Sequence, residues 1–270
     1  MKKRRARSKN HSARGAHRSS VVDIPKDVAA AIKRCWPHGV VEEFPTDESY
    51  FQEIRHEIER DLRSISGVSL VWQTEEASDG SRDERSECKL DSAQPLRDDD
   101  DWDEPRLEEE WQSYHVFFVS PNGEEFRFEA ETIGQEPEDA TETTYAGEGW
   151  YGLAVAISLA APVAAISASS CSRFEDGTIA CPDPPSSFFW DEETRETVSG
   201  DEYHRDLLGL ETFQKLEILR HEIVSIMASH RISVLDESVL DLPVKRLTAD
   251  PDVFLEKPLH VRDAFFFRGV

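Results

Sequence analysis

A chain of 270 residues with 38% hydrophobic composition is long enough to bury a substantial core in one large domain. Fifty-five acids against thirty-one bases give a net charge of −24, which repels nucleic-acid phosphate and anionic lipid and favours a basic protein partner. Cys35, Cys88, Cys171 and Cys181 form no C-x-x-C pair, and no apolar leader precedes them, so reduced thiols in a cytoplasmic protein are expected.

Residues 1–20 form a basic arm, with eight Lys or Arg and no acid in the first eighteen positions. Behind it, DIPKDVAAAIKRCWPHG predicts a helix at about 25–37: Pro25 suits the first turn, and Val28, Ala31, Ile32, Cys35 and Trp36 recur at helical spacing. A second helix is predicted over 47–66, with Phe51, Ile54, Ile58, Leu62 and Ile65 on one stripe and Gly67 as its stop. VSLVW, 68–72, reads as a short strand.

Residues 75–110 carry sixteen acids and five bases with scarcely any aliphatic side chain, so they are expected to be a disordered acidic insertion in an otherwise single domain spanning 21–270. The run Asp98, Asp99, Asp100 and Asp101 lacks the spaced ligands and glycine turn of a calcium loop, which leaves solvated charge. With the neighbouring Trp102 and Trp111, these aspartates are the expected first contacts for a basic partner.

HVFFVSPNGEEFRFEA, 115–130, predicts a β-hairpin around Pro121-Asn122-Gly123, pairing either Val119 or Phe118 with Phe126, with one side facing the core and the other water or a partner. GEGWYGLAVAISLAAPVAAIS, 147–167, admits three readings. The spacing of Gly147, Gly149 and Gly152 fits a dinucleotide loop, but the residues before it make a poor buried strand, and Glu148, Trp150 and Tyr151 crowd the turn with charge and bulk. A membrane span is disfavoured because large aliphatics are few and no basic cluster flanks the run. Alternation of Leu153, Val155, Ile157 and Leu159 with Ala154, Ala156, Ser158 and Ala160 predicts a buried strand with one large and one small face, broken at Pro162. The small face offers close approach to a helix, and the segment at 212–230 is the expected occupant.

A second hairpin is predicted at 171–181 around Asp176-Gly177, with Cys171 and Cys181 across it. The third helix, 212–230, carries the stripe Leu216, Leu219, Ile223, Ile226 and Met227, and RISVL and HVRDAFFF follow as further strands. The order of elements gives α+β: a mainly antiparallel sheet with two hairpins, packed against the three helices.

No catalytic motif is complete. His204-Arg205-Asp206-Leu207 lacks the asparagine of a kinase loop, and Ser225 stands where a zinc-protease pattern opened by His221-Glu222 needs its second histidine. No cofactor or metal is implied. The leading expectation is a non-enzymatic binding or inhibitor protein of immunity type; the alternatives are an enzyme assembled from scattered groups such as His204, Glu217 and His221, or nucleotide binding at Gly147–Gly152.

Overall fold

The computed structural model describes residues 23–42, 50–74, 111–135, 142–175, 177–180, 188–191, 196–251, 253, 255 and 257–269. In chain order the elements are α1 (Lys26–Cys35), β1 (Val40–Val41), α2 (Tyr50–Arg63), β2 (Val68–Gln73), β3 (Trp111–Gln112), β4 (Tyr114–Pro121), β5 (Arg127–Gln135), β6 (Glu142–Ser158) and β7 (Val163–Phe174). They continue with β8 (Ile179–Ala180), β9 (Phe188–Asp191), β10 (Glu196–Ser199), α3 (Gly200–Leu208), α4 (Leu210–Ser229), β11 (Ser233–Val234), α5 (Glu237–Leu240), β12 (Thr248–Ala249) and β13 (Arg268–Gly269). The α+β class, the mainly antiparallel sheet and the three predicted helices are all present. The basic arm and the acidic insertion lie outside the described residues, apart from the arm's junction at Asp23.

The main sheet has the order β11-β7-β6-β4-β2, with β5 also beside β6 and β8 beside β7. Its spine is β6, seventeen residues long. The β7–β8 hairpin forms as expected, pairing Ser172 with Ala180 and Arg173 with Ile179 around Gly177, whose φ of +87° only glycine adopts cheaply. RISVL supplies β11, which runs parallel to β7 from the Ser233–Val163 pair.

The hairpin expected at 115–130 does not form. Both β4 and β5 pair antiparallel with β6, from Tyr114–Ser158 to Val119–Leu153 and from Arg127–Trp150 to Gln135–Glu142, so they run end to end along one edge. A tight reversal at Asn122-Gly123 needs left-handed backbone, but Gly123 is extended at φ −79° and ψ 147°. A single 3-10 turn, Glu124–Phe126, follows and drives Phe126 into the core. The Pro-Asn-Gly segment is therefore an interruption in one long strand direction.

Both faces of the sheet are covered, which explains why β4 reads as a continuous apolar run. Leu153, Val155 and Ile157 pack with Phe51, Ile58 and Leu62 of α2 and Leu216, Leu219, Ile223 and Met227 of α4. Ala154 and Ala156 pack with Val28 and Ile32 of α1, with Trp36 just past its end, and with Phe265, Phe266 and Phe267. Hence α4 lies on the large-residue face, not the small one. Space left by the alanines is filled by bulky groups of the opposing layer, keeping the interior at close-packed density.

HVRDAFFF is likewise not a strand: His260 makes an isolated bridge to Pro243, Arg262–Ala264 form a 3-10 turn, and Arg268–Gly269 beyond it pair as β13 against β3. The irregular backbone lets three consecutive phenylalanines all be buried. Phe267 meets Trp36 edge-on at 5.7 Å and Phe266 meets Tyr114 at 6.1 Å.

Helix α3 was not anticipated, although Ser199-x-x-Glu202 is a capping signal: the Ser199 side chain accepts the Glu202 N–H at 3.3 Å. Asp201 ties this helix to the rest, accepting from the Ala168 N–H at 2.6 Å and from Arg220 at 2.7 Å. Asp201→Ala strands the Ala168 N–H and leaves Arg220 with Glu217 alone, so chemical denaturation of this variant is expected to show a loss of about 1–2 kcal/mol.

Candidate functional site

Of the residues singled out from the sequence, Asp98, Asp99, Asp100, Asp101 and Trp102 lie outside the described residues. Trp111 begins β3, in register with Gly269. The acidic segment leaves the sheet after Thr74, whose N–H donates to Val116 O at 2.9 Å, and the chain re-enters it through β3 into β4. The described residues that flank it, Thr74 and Trp111, both lie by the start of β4.

The scattered acid–base groups do not converge. His204 is buried, its Nδ1 2.7 Å from Gly200 O and its ring edge-on to Tyr151. His221 places Nδ1 2.6 Å from the backbone oxygen of Glu217, while the Glu217 carboxylate faces Arg220 at 3.2 Å. His230 instead meets Asp61 at 2.9 Å, joining the end of α4 to α2 and holding the Asp61 carboxyl below its usual range. Only the last of these contacts joins two helices; the backbone contacts of His204 and His221 stay within their own helices.

The three glycines of the dinucleotide spacing sit inside β6, with no helix after them. A Cβ at Gly149 would overlap the Phe128 ring, one at Gly147 the Arg173 carbonyl and the Phe174 ring, and one at Gly152 the Val119 carbonyl. Absence of a side chain admits aromatic rings and neighbouring backbone here. It does not cradle phosphate, and the nucleotide reading loses its strand–loop–helix geometry.

A buried polar group that the sequence did not reveal lies under α2. His115 is 6% exposed, with its ring 5.1 Å from Phe51 and 4.6 Å from Phe117. Its Nε2 and the Oε1 of Gln73, the register partner of Phe117, take no hydrogen bond among the described residues. Arg55 is buried in the same helix stripe as Phe51. Burial, reinforced by the Arg55 charge, pushes the His115 pKa down to about 3. A neutral imidazole enclosed by rings is built for packing.

The most distinctive charged geometry is on the extension of the sheet. Along β5, buried Ala130 alternates with exposed Arg127, Glu129 and Glu131. Glu129 lies directly opposite Glu148 of β6, and Glu148 opposite Arg173 of β7. Like charges facing across a ladder destabilise it by a few tenths to about 1 kcal/mol. The alternation was legible in the sequence; the pairing of the two glutamates was not, because the intended partner of β5 is β6.

Among the described residues, no group of three or more His, Cys, Asp or Glu side chains is placed to hold a metal ion, and no helix is long and apolar enough to cross a membrane. Cys171 is buried on β7 opposite Trp150, and Cys181 lies outside the described residues. Compared with known proteins, the chain matches no family model, no curated protein and no solved structure.

Proposed function

We propose that this is a cytoplasmic binding protein of inhibitor or immunity type, acting without catalysis, whose acidic surface meets a basic partner protein. The observation that carries this reading is the Glu129–Glu148 pair, two exposed carboxylates set side by side across the β5–β6 ladder with Arg173 on the far side of Glu148. A Lys or Arg from a partner placed between these carboxylates gains charge-assisted hydrogen bonds to both. The net charge of −24 steers such a partner from a distance, and the acid-rich segment 75–110, with Asp98–Asp101, Trp102 and Trp111 at its end, supplies further contacts.

Titration calorimetry of the full chain against basic proteins tests this. The expected result is saturable binding that weakens steeply between about 50 and about 200 mM salt, and that falls roughly fivefold in Glu129→Gln/Glu148→Gln. Undiminished binding after deletion of 75–110 removes that segment from the interface. A saturable rise in Tm with a nucleotide, cofactor or divalent metal, accompanied by turnover, overturns the reading.

A further inference from the structure

Among the described residues, large apolar side chains that face solvent are confined to α3 and α4. They are Tyr203, Leu207, Leu210, Ile218 and Val224. Single exposed leucines are ordinary on any protein surface. Concentration on two adjacent helices is not, particularly with Leu210 at 65% and Ile218 at 64% exposure.

Helical geometry places these groups together. The buried stripe of α4 is Phe213, Leu216, Leu219, Ile223 and Met227. Leu210 and Ile218, two turns apart, project from the opposite side with Gln214 between them. In α3, Tyr203 and Leu207 are one turn apart. Gly209, at φ +76°, turns one helix directly into the other, and the Asp201–Arg220 bond fixes α3 against α4. The Asp201–Arg220 ion pair thus links the two helices that carry the surface.

Its border is acidic. Glu202, Asp206, Glu211 and Glu222 are exposed on these helices. The cations are already engaged: Arg205 lies 3.8 Å from Glu202 and 3.6 Å from Asp206, and Lys215 is bonded to Glu125.

Resting on the basic-partner reading above, we propose that the outward face of α3 and α4 docks a basic amphipathic helix of a partner protein. Its apolar side sits against Tyr203, Leu207, Leu210 and Ile218, and its Lys or Arg side chains meet Glu211 and Glu222. Charge selects this occupant over two others. A second copy would bring acidic borders together between chains of net charge −24. The first eighteen residues of the chain are basic, but Met1 is their only large apolar side chain, so they cannot fill the apolar spine.

The test uses the full chain and a synthetic Leu/Lys amphipathic helix of about 18 residues, five turns, beside a scrambled peptide of identical composition. The ordered peptide is expected to bind at least tenfold more tightly than the scrambled one. Leu210→Ser/Ile218→Ser is expected to abolish that preference without lowering Tm, since both side chains are exposed. Glu211→Gln/Glu222→Gln is expected to weaken binding and flatten its salt dependence. Ordered-peptide binding undiminished in the serine variant overturns the docking face while the basic-partner reading stands. A concentration-dependent dimer lost in the serine variant assigns the face to a second copy and overturns the proposal. Failure of both peptides to bind at low salt removes both readings.

Discussion

Gly152→Ala is expected to destabilise the protein by about 3 kcal/mol, at the upper end of ordinary overpacking costs. The new methyl group would overlap the Val119 carbonyl oxygen and come within 2.9 Å of the Phe118 ring. Val119 is fixed in the β4–β6 ladder opposite Leu153, so the obstacle is backbone that cannot rotate away. Gly152 does not have the positive φ that favours glycine, and a methyl group there would otherwise stabilise slightly by restricting the unfolded chain. The loss is therefore steric alone.

Gly149→Ala gives the control. There the added atom meets the ring of Phe128, a half-buried side chain that can turn away at the expense of its 4.4 Å ring contact with Tyr151, and the expected cost is about 1 kcal/mol. Urea denaturation should rank the two variants in this order with unchanged m-values. Equal stability of both variants and the parent would show that β4 is not held against β6 as described.

A second large effect is expected from acid. Because the folded pKa of His115, about 3, lies below its ordinary value of 6.5, the unfolded chain binds this proton more readily. Stability from this group is complete above about pH 6.5 and is lost progressively as pH falls toward 3. At up to about 1.4 kcal/mol per pH unit, the loss between pH 6.5 and 4.5 is about 2–3 kcal/mol. His115→Phe keeps an aromatic ring between Phe51 and Phe117 while removing the proton site, so its stability should be flat across that window. Asp61 does not confuse the result. Its carboxyl, lowered by the His230 hydrogen bond, contributes stability above its unfolded value of 3.8 that is lost only at still lower pH. Retention of the parent's acid slope in His115→Phe would place the titrating group elsewhere.

Much of this architecture was legible in local pattern. The stripes of α2 and α4 reported the face that is buried, and the large–small alternation of β6 separated its two faces, both of which are buried, without telling which one α4 covers. What escaped depends on partners distant in sequence. Pro121-Asn122-Gly123 carries a turn signal, yet the turn is decided by Phe126 reaching the core and by β6 offering one edge to both flanking strands. His115 reads as a polar residue at a strand start; only the arrival of α2 makes it buried. The Glu129–Glu148 contact is a matter of register between strands, and the apolar face of α3 and α4 needs both helices placed before it exists. Helix α3 was available in the Ser199-x-x-Glu202 signal, which is weak beside the short apolar content that follows it.

The layer over Ala154 and Ala156 joins residues from opposite ends of the sequence: the Trp36 indole donates to Ala264 O at 2.9 Å, and Ser113 Oγ approaches the carbonyl oxygens of both Phe265 and Phe267 at 3.1 Å. Closing so long a loop is slow, because its entropy is lost before the contact repays it. During synthesis α1 emerges early but lacks most of its docking surface until the final phenylalanines appear. Until then, Tyr114, Phe118 and the alanine face of β6 stay open on one side. The α1 side of the sheet thus depends on the last residues of the chain for its cover, whereas the α2–α4 side is complete once α4 is present.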